Sequence, residues 1–186
     1  MEYLDILDEQ GNITGKTEER KIVHEQGLWH YHVGIWIMNK QGELLFQKRA
    51  ITKKRNPNKW GRTGGHVDAG EAPVKGIIRE IKEEIGIDLK EEQLELIEIE
   101  KEVNIDEKIV NRNFVYNYFA LVDYPIEEYI IQKEELSEVK YMTIEEMEER
   151  RKEKDYNYTF SSWDEENFKK HIKWLKDRRE KIWEEK

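Results

Sequence analysis

Apolar residues recur at two spacings along the chain, and the switches between them predict the order of elements. Tyr3-Leu4-Asp5-Ile6-Leu7 predicts a strand, closed by the turn residues Asp8-Glu9-Gln10-Gly11-Asn12, and a short helix is expected over Thr17–Glu25. His32–Met38 and Glu43–Lys48, joined by Asn39-Lys40-Gln41-Gly42, predict a hairpin. Arg49–Lys59 is polar, contains Asn56-Pro57-Asn58 and reads as a loop, whereas Trp60–Val67 reads as extended or turning. Pro73 suits the first position of a helix that ends near Gly86. β-prone runs follow at Leu94–Val103 and Phe114–Asp123, then a strand at Glu138–Met142 and a capping box at Thr143-Ile144-Glu145-Glu146. A second box, Ser162-Trp163-Asp164-Glu165, introduces a helix carrying Phe168, Ile172, Leu175 and Ile182 at helical spacing. This order predicts an α/β fold, with a mixed sheet covered by helices.

The length of 186 residues favours one domain. Residues 1–28 read as an N-terminal extension, strand and short helix, packing on the core; 29–150 form the main domain, and 151–186 an appended C-terminal helix. Hydrophobic residues make up only 37%, but six Trp, nine Tyr and five Phe argue against disorder. The absence of cysteine rules out disulfides, thiolate nucleophiles and Cys-ligated zinc. No apolar run approaches the ~20 residues that cross a bilayer, and the first residues lack the pattern of a secretion signal, so a cytoplasmic protein without a membrane partner is expected. A net charge of −9 argues against general nucleic-acid binding. Within that acidic chain, Leu44–Val67 has no acid and carries Lys48, Arg49, Lys53, Lys54, Arg55, Lys59 and Arg62, which suggests a local anion site.

The helix after Pro73 has two faces. Val74, Ile77, Ile78, Ile81 and Ile85 form an apolar arc, and Glu80, Glu83 and Glu84 meet on the neighbouring one at i, i+3 and i+4. Like charges so placed cost about 0.2–0.5 kcal/mol per pair. Gly76 lies on the same acidic arc, where a glycine costs about 1 kcal/mol relative to alanine. A solvated acidic face is the ordinary explanation. A hard divalent cation with oxygen ligands is the other, with Gly76 clearing room for it. The loop ahead of the helix favours the cation, because Gly64, Gly65 and Gly70 allow a backbone carbonyl to approach the carboxylates, and Glu71 can pair with Arg79.

Gly65, Glu71, Arg79-Glu80, Glu83-Glu84 and Gly86-Ile87 match the pattern G-x5-E-x7-R-E-U-x-E-E-x-G-U, where U is aliphatic, at every specified position. The chain therefore resembles the Nudix hydrolases. The resemblance implies an α/β/α Nudix sandwich and hydrolysis of a diphosphate linkage in a nucleoside diphosphate derivative or related small organic pyrophosphate. It implies Mg²⁺ (or Mn²⁺) held by Glu80, Glu83, Glu84 and the carbonyl of Gly65, with Glu71–Arg79 as the structural pair. Lys48, Arg49 and Arg62 are candidate substrate-binding residues. The general base is sought in Glu83, inside the box, or Glu135, ahead of the Glu138–Met142 strand. Trp29, Trp36 and Trp60 are candidates to stack on a base.

Outside the box, Leu7–Gly11, His24, Gly27–His30, Leu44–Ala50 and Trp60–His66 resemble the type I isopentenyl-diphosphate-isomerase-like branch, over roughly residues 4–145. True isomerases carry a cysteine where this chain has Gly64, and an acid that aligns with Phe114. Moving a double bond needs a proton donor and an acceptor on opposite faces of the substrate, and this chain lacks both. His24, His30 and His66 match isomerase metal positions and form a candidate second metal site; hydrogen-bonded framework residues are the plainer explanation. A non-catalytic nucleotide-binding module is the alternative function, ahead of isomerase. The C-terminal helix is expected to pack on the core or to serve as a homodimer contact.

Overall fold

The computed structural model describes residues 2–106 and 109–184. Along the chain the strands and helices are β1 (Tyr3–Leu7), β2 (Ile13–Glu19), α1 (Arg20–Gln26), β3 (Trp29–Met38), β4 (Leu44–Arg49), β5 (Trp60–Gly61) and β6 (Gly64–His66), then α2 (Pro73–Ile85), β7 (Glu95–Asp106), β8 (Ile109–Leu121), β9 (Leu136–Met142), α3 (Ile144–Lys152) and α4 (Glu165–Glu184). They gather into two compact units. One comprises the chain up to Ile35, Gly64–Lys82 and Asp88–Ala120; the other comprises Trp36–Thr63, Glu83–Ile87 and the chain from Leu121.

In the first unit, β1 and β2 form an antiparallel hairpin. The Asp8 carboxylate closes its turn by accepting from the backbone N–H of Gln10 and of Asn12, both at 2.9 Å. The helix expected over Thr17–Glu25 starts only at Arg20, because Ile13–Glu19 pairs with β1 instead. That segment has no helical apolar stripe, and its Ile and Thr residues suit a pleated strand. Strand β6 lies antiparallel to β3, with His32 opposite His66 and Gly34 opposite Gly64. Strand β8 pairs with both β7 and β3. Two ring contacts, Trp29 on Phe114 at 5.1 Å and Tyr31 on Tyr116 at 5.5 Å, advance in step along β3 and β8. The two strands therefore run parallel, whereas β7 and β8 run antiparallel, and the sheet is mixed as expected. Strand β8 begins earlier than predicted, because Asn111 and Asn113 occupy buried positions where the apolar alternation fails.

In the second unit, β4 pairs antiparallel with β5 and β9. Trp36, Phe46, Phe160 and Leu175 are fully buried there, so the C-terminal segment contributes core. The capping box at Thr143 forms as predicted: its hydroxyl accepts from Glu146 N–H at 3.1 Å, and Glu146 Oε2 accepts from Thr143 N–H at 2.9 Å. The second box does not. Ser162 ends a 3₁₀ turn, and Asp164 caps α4 by accepting from Asn167 N–H at 2.8 Å. The C-terminal end of α2 is tied down by Ile130 N–H to Ile85 O at 3.1 Å and Gln132 N–H to Glu84 O at 3.0 Å. Among the described residues, no helix is long and apolar enough to cross a membrane.

Candidate metal and diphosphate site

The loop and first turns of α2 meet in the first unit around Arg79. Its guanidinium donates to Glu71 at 3.2–3.4 Å, to Glu80 Oε1 at 2.9 Å and to the His66 carbonyl at 2.9 Å. Burial works against the Arg79 charge, but these carboxylates override it and hold the guanidinium protonated well above its ordinary range. Glu71 Oε2 also accepts from Asp68 N–H at 3.2 Å. Gly70, at φ +79°, donates its N–H to Asp5 at 2.8 Å, tying the loop to β1. A Cβ on Gly65 would run into the Glu80 carboxylate, so this glycine is what lets the loop backbone lie against a proposed metal ligand. Gly76 corrects an expectation: a Cβ there would meet Glu71 Oε2 and Val67, both at 3.2 Å. The room on that arc is taken by the loop, not reserved for a cation.

The last turns of α2 carry the rest of the box into the second unit. Glu83 is exposed, whereas Glu84 is buried. Gln47 Nε2 donates to Glu84 Oε2 at 2.7 Å, and Thr63 Oγ1 donates to Gln47 Oε1 at 2.8 Å. All three residues are at most 4% exposed. Neither Gln47 nor Thr63 was among the sequence candidates. The available signal was Gln47 itself, a polar residue within the apolar run of β4.

The basic segment is less open than its charge pattern suggests. Lys48 pairs with Glu138 at 3.0 Å, Lys53 pairs with Glu135, and Arg49 Nε donates to the Arg55 carbonyl at 3.1 Å. Glu135, the alternative base, thus already faces a lysine. The Arg62 guanidinium is half-buried between the rings of Trp36 and Trp163, at 5.4 and 5.6 Å. Trp36 is buried and bonded to His171, and Trp29 is covered by Phe114 and Lys101, so neither is placed to stack on a base. Lys140 lies 4.4 Å from the Trp60 ring centre.

His24, His30 and His66 come together in the first unit, each offering a ring nitrogen within 4.8 Å of the others. His24 Nε2 and His66 Nε2 are 3.1 Å apart, and His30 Nδ1 donates to the Leu28 carbonyl at 2.9 Å, which leaves its Nε2 unprotonated in the neutral ring. Burial, with His32 and Arg20 nearby, pushes His66 well below the usual histidine range. Neutral imidazoles of fixed tautomer fit a divalent metal. Phe114 packs on Trp29 and so faces away from His30; by strand alternation the β8 side chains on the side of His30 include Asn111, Asn113, Val115 and Asn117. Phe114, with which the resemblance aligns the isomerase acid, therefore lies on the opposite face from His30.

Residues 28–163 match the NUDIX domain, and the chain belongs to the Nudix family, whose hydrolases act on pyrophosphate bonds. It is 37% identical over 150 residues to an uncharacterised Nudix hydrolase of Clostridium acetobutylicum, covering 78% of this chain and 72% of that protein. It is 29% identical over 161 residues to a protein named isopentenyl-diphosphate Delta-isomerase from Streptomyces avermitilis, covering 86% of this chain and 78% of the other. A Deinococcus radiodurans crystal structure shares the α/β Nudix fold at a TM-score of 0.63 and 20% identity, covering 80% of this chain and 88% of that one.

Proposed function

We propose that this chain is a Mg²⁺- or Mn²⁺-dependent pyrophosphohydrolase acting on a nucleoside diphosphate derivative or a related small organic pyrophosphate. The junction of loop and helix carries the reading: within a complete box, Arg79 locks the loop to α2 so that the Gly65 backbone lies against the Glu80 carboxylate. Glu80, Glu83, Glu84 and the Gly65 carbonyl would hold the ion, an all-oxygen donor set that suits a hard cation. When bound, such an ion neutralises diphosphate charge and lowers the pKa of water. Arg79 keeps the carbonyl and carboxylate donors in register through its bonds to His66, Glu71 and Glu80. Glu83, the exposed member of the triad, is the group proposed to take a proton from water; Glu135, the alternative, is paired with Lys53. Lys48, Arg49 and Arg62 are the cations proposed for the remaining phosphate charge.

The isomerase reading loses support at Gly64. A Cβ there would strike the Val33 carbonyl and lie 3.0 Å from Gly34 Cα, so this backbone does not accept a cysteine without moving. The deciding experiment measures phosphate and pyrophosphate release over a panel of nucleotides and nucleotide conjugates with Mg²⁺ or Mn²⁺, beside Glu83→Gln. The expected result is turnover by the native chain that the variant loses. Turnover unchanged in both Glu83→Gln and Glu84→Gln would overturn the reading. Ligand-induced stabilisation without any released product would favour the binding module.

A further inference from the structure

We infer that Gln47 and Thr63 are positioning residues that aim the Glu84 carboxylate at its metal, an inference that rests on the hydrolase reading above. The order of donors follows from chemistry. An ionised carboxylate only accepts, so the Gln47 amide must present its NH₂ to Glu84 and its oxygen to Thr63. Thr63 must then donate. The observed distances of 2.7 and 2.8 Å fit this one-way chain. Each link restricts the next: the hydroxyl pins the amide against flipping, and the amide pins Glu84 through Oε2.

The burial of all three residues gives the chain its strength, because bonds shielded from water are electrostatically stronger. A neutral amide is also the appropriate partner. It stabilises the negative charge without cancelling it, whereas a lysine at Gln47 would compete with the cation. The three residues come from different places, β4, the segment just before β6, and the last turn of α2, so no motif confined to the box contains the relay. Outer-shell partners of this kind typically govern 10–100-fold of metal affinity or activity.

The test is a Mn²⁺ titration of the full chain followed by electron paramagnetic resonance, with Glu84→Gln setting the level that marks loss of this site. Gln47→Leu is expected to weaken Mn²⁺ binding and kcat by about 10–100-fold, with KM changed less than kcat. Thr63→Val, close in shape and without the hydroxyl, is expected to move both in the same direction by a smaller factor, and Thr63→Ser to restore them. Metal-free thermal unfolding checks each fold. Should Gln47→Leu fail to fold, the contrast between Thr63→Val and Thr63→Ser decides. If Glu84→Gln loses Mn²⁺ while Gln47→Leu and Thr63→Val bind it like the native chain, the relay is structural only and the inference falls. If Glu84→Gln itself binds like the native chain, the metal reading of the box fails instead.

Discussion

Gly65 shows how a single missing methyl group controls the site. Its backbone reaches the Glu80 carboxylate only because no Cβ intervenes, and alanine would push the two apart. Gly65→Ala is therefore expected to stay folded and lose about 10²-fold in turnover, since displacements near 1 Å at reacting groups carry that penalty. Steady-state kinetics beside thermal unfolding checks both halves. Most of this region was legible from spacing: Glu71 finds Arg79 as expected, and the helix faces fall as the 3.6-residue period requires. Gly76 was misread because the sequence shows that room was made but not what fills it, and Glu71 fills it. Gln47 and Thr63 were invisible for a related reason. Their partners are distant in sequence: pairing of β4 with β5 brings Gln47 near Thr63, and packing sets Gln47 against Glu84 at the end of α2.

At the scale of elements, the last turn of α2 matters most, because it presents Glu83 and Glu84. Its carbonyls are capped from Ile130 and Gln132, and Gly86 turns the chain at φ +74° with Ile130 crowding the place of a Cβ. Gly86→Ala is expected to destabilise by more than about 1 kcal/mol, the compatible-site range reversed in sign by positive φ and by the clash. Chemical denaturation measures it. Helices α3 and α4 are joined by Arg179 donating to both Glu145 oxygens, at 2.7 and 2.9 Å. That hydrogen bond lowers Glu145 below its ordinary 4.5. A depressed carboxylate stabilises the fold above its unfolded pKa and loses that effect as pH falls through the folded one. Between pH 5 and 3 the native chain should therefore lose slightly more stability than Glu145→Gln, by under about 1 kcal/mol because the Glu145 carboxylate is exposed. Melting curves across that window test the sign. The Thr143 cap was readable because both partners lie within four residues. The Ser162 box failed because Asp164, two positions on, offers an equally short acceptor and the preceding turn takes Ser162.

For the whole molecule, the C-terminal segment is the part whose role sequence patterning describes least well. Phe160, Phe168, Ile172 and Leu175 are buried, and we propose that residues 151–186 belong to the same folding domain as 29–150, with 1–28 packing alongside. A chain ending at residue 155 should then lose its cooperative unfolding transition, which calorimetry would show. Metal offers a second whole-molecule readout. Binding to the native state alone raises stability by RT ln(1 + [L]/Kd), about 2.7 kcal/mol at 100 Kd. Mg²⁺ or Mn²⁺ should raise the melting temperature of the native chain by more than that of Glu84→Gln. If His24, His30 and His66 also hold a divalent ion, elemental analysis should find a second equivalent per chain, and His24→Asn together with His66→Asn should remove it.

The crowding at Gly64 has a mutational consequence. Glycine and cysteine codons can differ by one base, so mutation alone can exchange the two residues in a single step. Geometry opposes that exchange, because the Val33 carbonyl occupies the space that the side chain would need. A side chain at position 64 would need β3 or β6 to give way at Val33 and Gly34. The exchange is short in nucleotides and obstructed in backbone.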